Sequence, residues 1–204
     1  MSDAPKRPAT YADLEAVPDH LVAEIVDGKL VTRHHGYLAP ACARTMLSYN
    51  LRTLSQKRSA PNAPWQIVTL PELHLGRDVV VPELAAWSVA RLPYLTDELV
   101  DIAPDWACEL TSDGSEMNPA LPEKIELYRS VGVRFMWIVN LRPASVAAFE
   151  NDAGRWTKIG NWNAADTVRA PPFDAISFSL ADLWPLDRPL GMNEDPTPYY
   201  AGDR

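Results

Sequence analysis

The sequence predicts one α/β domain built on a mixed sheet with helices on its faces. Runs of β-branched and aromatic residues recur along the chain, and two segments carry apolar residues at helical spacing. Between 105 and 140 a strand-like run, a helix and a second strand-like run follow one another, the order of a mixed sheet with helices on its faces. The 204 residues are enough for one domain with a sizeable core and too few for two ordinary ones. Residues 1–184 read as that domain, and 185–204, rich in Pro, Asp and Gly, as an irregular tail.

Thr10 caps a short helix through Leu14 and Ala16, with Asp13 at its third position facing the amide dipoles. Residues 20–33 read as a β-hairpin, because Asp27-Gly28 is a strong two-residue turn signal between β-branched runs. A helix over 41–58 follows from Ala43, Leu47, Leu51 and Leu54 at helical spacing. Strands are expected at 66–70, 72–75, 79–87 and 105–111, then a helix over 121–133 stopped by Gly132. Residues 133–140 read as a buried strand, and 145–150 with 155–159 as a pair turning at 152–154.

A hydrophobic fraction of 47% is that of a globular chain. No run is long enough to span a bilayer and the N-terminus lacks a signal-like apolar stretch. Cys42 and Cys108 offer neither a disulfide framework nor a zinc quartet, and both read as buried free thiols. A cytoplasmic location fits these features. The net charge of −8 is unevenly distributed. From Gly28 to Pro71 there is no acidic residue, while Lys29, Arg33, Arg44, Arg52, Lys57 and Arg58 give a local +6. This segment is either a localised anion-binding face or a solvated helix face. Phosphate loops, serine-nucleophile turns and helical zinc motifs are absent.

Lys124 is the most informative single position. Leu121, Ile125 and Tyr128 form the apolar stripe of the 121–133 helix, and position 124 belongs to that stripe, so its ammonium points inward. A buried lysine requires carboxylate partners. Glu83 and Glu109 lie within apolar strand-like runs and, on neighbouring strands, would project from one side of the sheet toward the helix. Such a set is either a structural ion pair or the core of a metal-dependent hydrolase. Carboxylate oxygens with waters suit Mg²⁺ or Mn²⁺, and Lys124 would orient water or stabilise the transition state.

The segments VVVPELAAW (79–87), DWACELTSDGS (105–115) and PEKIELYRSVGVRFMWIVN (122–140), with AEIVDGKLV (23–31) upstream, resemble the Uma2 restriction-endonuclease family of the PD-(D/E)XK nuclease superfamily. The resemblance runs from about Thr10 to Trp156 and implies a restriction-endonuclease-like mixed central sheet with flanking helices and an N-terminal β-hairpin. It implies a Mg²⁺- or Mn²⁺-dependent endonuclease acting on DNA. Glu83 falls at the family's metal-binding Asp, and Glu109 at the acidic member of the D/E-x-K element. Thr111 stands at the lysine position of that element, and Lys124 matches the helix lysine used instead. Glu24 matches the acidic residue of the hairpin, a further metal or water contact. Arg44, Arg52, Lys57 and Arg58 would meet phosphates, and a homodimer would supply the second site needed for double-strand cleavage. Four departures stand out: Glu83 for Asp, SDGS for Ser-Pro-Ser-Thr, Asn140 for Asp, and no histidine near Arg44. They motivate a rival reading, a catalytically inert nuclease-fold protein acting as a nucleic-acid-binding or scaffold module.

Overall fold

The structure, a computed structural model, describes residues 7–34, 38–55, 65–95, 100–112, 117–163 and 166–184. Lys57, Arg58, part of the SDGS segment and the 185–204 tail lie outside the described residues.

Helix α1 (Tyr11–Glu15) opens the described chain, and the Asp13 carboxylate accepts from the Thr10 amide at 2.8 Å and its hydroxyl at 2.7 Å. Strands β1 (Leu21–Val26) and β2 (Lys29–His34) form the expected hairpin, with Asp27 at φ 51° and Gly28 at φ 70°. Positive φ at both central residues is the turn that matches strand twist, and it suits Asp-Gly. Helix α2 (Leu38–Ser55) begins earlier than expected. Then come β3 (Trp65–Thr69), β4 (Leu73–Leu75), β5 (Asp78–Val80), β6 (Leu84–Ser88), β7 (Trp106–Thr111), α3 (Leu121–Ser130), β8 (Phe135–Leu141), β9 (Ala144–Asp152) and β10 (Arg155–Asn163).

The expected single strand over 79–87 is divided between two sheets. β5 belongs to a four-stranded sheet in the order β2-β1-β5-β4, and β6 to a six-stranded sheet in the order β10-β9-β8-β7-β6-β3. Pro82 has no N–H to offer a ladder, so the pairing stops there. Val81, Pro82 and Glu83 carry the chain from one sheet to the other. Within the large sheet only β7 and β8 run parallel, and α3 is the crossover that this pair requires.

The large sheet is covered on both faces. On one, Ala43, Leu47 and Leu51 of α2 pack with Leu84, Ala86, Trp106, Cys108, Leu110 and Trp137. The residues after β10 complete this layer through β11 (Thr167–Val168), β12 (Phe178–Ser179) and a 3₁₀ turn at Leu180–Leu183, none of them expected from sequence. Phe173 meets Trp106 edge-on at 5.1 Å and Trp137 at 5.8 Å, and the Trp137 indole donates to Pro171 O at 2.9 Å. The other face places Ala85, Trp87, Ala107 and Met136 against Tyr128 of α3. Glu109 alternates with Cys108 and so belongs to this second face. Cys108 is buried and Cys42 only half-buried, a correction to the expected pair of buried thiols; both are free. Cys42 sits at the edge of the α2 contact face rather than within it. No described helix is long and apolar enough to cross a membrane.

Candidate active site

The helix that carries Lys124 is held at its C-terminus and at its middle. Its C-terminus closes with Gly132 at φ 83°, Val133 N donating to Tyr128 O at 2.9 Å and Gly132 N to Arg129 O at 3.3 Å. This is the six-to-one and five-to-two pairing that glycine permits. Asn151 of β9 donates to the carbonyls of Arg129 and Val133, and the Trp156 indole of β10 donates to Ile125 O at 3.0 Å. So fixed, α3 turns Lys124 and Tyr128, one helical turn apart, onto the sheet face that carries Glu109.

Lys124 is fully buried, and its Nζ lies 2.8 Å from Glu24 Oε1, 2.8 Å from Glu109 Oε1 and 3.2 Å from Val81 O. The ammonium therefore ties β1 of the small sheet, β7 of the large sheet and the segment between them. Glu24 Oε1 also accepts from Val81 N at 2.7 Å. Glu109 Oε1 accepts from the Tyr128 hydroxyl at 2.6 Å, and Oε2 from Asn118 Nδ2 at 2.8 Å.

Glu83 stands one residue before β6. Because Leu84 pairs with Cys108, extending that antiparallel register by one sets Glu83 across from Glu109. Its carboxylate bonds Arg33 Nη1 of β2 at 2.9 Å and Arg44 Nη1 of α2 at 2.5 Å. Arg33 completes the chain of contacts, with Nε 3.7 Å from Glu24 Oε2 and Nη2 3.3 Å from Val81 O. Three carboxylates thus meet three cations, and the six charges of the cluster cancel.

Electrostatics within the cluster run in opposite directions. Burial pushes the Glu109 carboxyl upward, against the pull of Lys124, and the Glu24 charge adds to the rise. For Lys124, burial favours proton loss, yet Glu109 and Glu24 together outweigh it and hold the ammonium above its ordinary value of 10.5. Burial and then Glu109 push Tyr128 well above 10, so its hydroxyl remains a donor.

Residues 8–181 match the family described as "Uma2: Putative restriction endonuclease". The chain belongs to the Uma2 family. Its fold is similar to that of "a putative nuclease belonging to DUF820 from Anabaena variabilis ATCC 29413", with a TM-score of 0.66 and 16% identity, covering 86% of this chain and 97% of that one. That likeness is one of fold. No curated protein matches the chain.

Glu24, Glu109 and Lys124, the Uma2 positions read from sequence, come together directly, and Glu83 joins them through Arg33. Arg44, expected to meet phosphates, lies half-buried against Glu83, while Arg52 is exposed two turns along the same helix. Sequence reasoning missed Arg33, Asn118, Tyr128 and the Val81 carbonyl as members of this cluster. For Arg33 a signal existed: it shares a strand face with Val31, the inward side of β2.

The available donors are of the type a hard divalent ion takes, namely carboxylates and Asn118 Oδ1, a buried oxygen with no partner among the described residues. Among those residues no three His, Cys, Asp or Glu side chains stand together as a metal-holding group. That limits the protein's share to about two carboxylates, as is usual for Mg²⁺ at phosphoryl-transfer sites.

Proposed function

We propose that the chain is a metal-dependent endonuclease that hydrolyses DNA phosphodiesters at this cluster. The observation that carries the reading is the buried Lys124 ammonium held between the Glu24 and Glu109 carboxylates at the junction of the two sheets, in a chain that belongs to a family described as restriction endonucleases. A core optimised for stability alone gains little from such a cluster, because desolvating each charge offsets most of the attraction.

Glu83 and Glu109 would hold Mg²⁺ or Mn²⁺, which supplies Lewis acidity toward a phosphoryl oxygen and the attacking water. Lys124 remains protonated and carries its charge toward the group that gains negative charge in the reaction. Glu24 fixes Lys124 from the opposite side, and Tyr128 and Asn118 fix both oxygens of Glu109. Arg52 and Arg44 on α2, with Lys57 and Arg58 beyond, would position the phosphate backbone without reading bases. A homodimer would bring a second site to the opposite strand.

Incubation with supercoiled plasmid tests the reading. Nicking or linearisation is expected with Mg²⁺ or Mn²⁺ and should stop on chelation. Binding of duplex DNA with no cleavage under any divalent ion would instead favour the inert binding module, for which the complete internal neutralisation of the carboxylates is the supporting observation.

A further inference from the structure

We propose that Arg44 is a movable counterion: a phosphate draws it off Glu83, and the freed carboxylate then accepts a divalent ion. This positioning role rests on the nuclease reading above and adds to it an order of events, anion before metal.

The three cations of the cluster are not held alike. Lys124 has three acceptors on three parts of the chain and no exposed surface. Arg33 touches Glu24, Glu83 and Val81 O, with its side chain 6% exposed. Arg44 pairs with Glu83 alone among the described residues, and its side chain is 16% exposed. It is the cation with the fewest bonds to break and the nearest to water.

Its position on α2 suits the motion. Ala43 and Leu47 are buried, Thr45 and Tyr49 are exposed, and Arg44 lies on the rim between those faces. A rim arginine can change partner by rotating its side chain while the helix stays packed. No acidic residue occurs anywhere in Leu38–Ser55, so an approaching phosphate meets no repulsion from this helix. Guanidinium binds phosphate and carboxylate through the same fork of donors, so the exchange replaces one charge-assisted pair with another.

The charge balance supplies the coupling. With Arg44 on Glu83 the cluster is neutral and offers a divalent cation no net attraction. With Arg44 withdrawn, Arg33 still holds Glu83 Oε1, Oε2 is released and the cluster carries −1. Phosphate binding and metal binding then favour one another, and by linkage the effect is reciprocal.

Two titrations with Arg44→Met, which keeps an unbranched side chain and removes the charge, test this. Mn²⁺ is titrated by calorimetry without nucleic acid, and duplex DNA by fluorescence anisotropy in EDTA. The variant is expected to bind Mn²⁺ about ten-fold more tightly than the parent, within the usual range of coupling, and to bind duplex DNA more weakly. A merely structural role would not tighten one ligand while loosening the other. Arg44→Gln is expected to show the same opposed shifts, and Arg44→Lys to stay near the parent. Mn²⁺ affinity that is equal or weaker in Arg44→Met and Arg44→Gln than in the parent overturns the counterion role and leaves the metal site standing. Absence of Mn²⁺ binding in the parent and both variants overturns the counterion role and the metal-dependent reading together.

Discussion

Lys124→Met is expected to destabilise the protein by about 3–5 kcal/mol, the usual cost of stranding a buried charge by removing its partner. Methionine fills much of the same volume, so the loss is electrostatic rather than a cavity. Glu109 and Glu24, both buried, would lose the ammonium that lies 2.8 Å from each. Glu109 is already raised by burial with Lys124 opposing, so its carboxyl rises further in the variant. A carboxyl whose folded value lies above its unfolded value penalises folding once pH exceeds the unfolded value, about 4.3. The stability gap between parent and variant should therefore be widest near neutrality and narrow as pH falls toward 4. It should narrow again above about 10.5, because Lys124 is raised in the folded parent and its contribution is lost as pH rises through that folded value. Denaturant unfolding across pH checks both limbs. The double variant Lys124→Met, Glu109→Gln should recover part of the loss, since the most deeply buried carboxylate has then also been removed. A flat gap across pH would contradict the electrostatic origin.

Glu109→Gln is expected to reduce plasmid cleavage by more than about 100-fold while the protein stays folded, the scale on which one preorganised charge at a reaction centre is felt. Glutamine keeps an oxygen for Tyr128 and Lys124, and its new amide group can meet Asn118 once that side chain turns to present Oδ1, the oxygen now without a partner. The substitution therefore removes charge with little change of shape. Retained activity in a folded Glu109→Gln protein would place the chemistry elsewhere.

The parts of this arrangement that depend on local periodicity were legible in the sequence. The inward lysine follows from a helical stripe of four residues, and the hairpin from Asp27-Gly28. What escaped depends on which distant segments meet. VVVPELAAW is apolar enough to read as one strand, and only Pro82 marks the passage between sheets. Arg33 and Arg44 counted toward a basic segment, yet both turn inward to one carboxylate from a strand and a helix that approach it from different sides. Charge counting cannot distinguish a phosphate-facing arginine from a carboxylate-facing one. The short elements after β10 owe their form to packing on Trp106 and Trp137 rather than to any period of their own.

Calorimetric titration of Mn²⁺ into the parent protein and into Glu109→Gln decides whether the buried cluster is a metal site, since it requires no assumption about substrate. Saturable binding in the parent, weak because the cluster is internally neutralised, and its loss in Glu109→Gln is the predicted result. Binding that persists unchanged in Glu109→Gln, or that is absent from both the parent and Arg44→Met, would contradict the assignment of this buried cluster as the metal site of a nuclease.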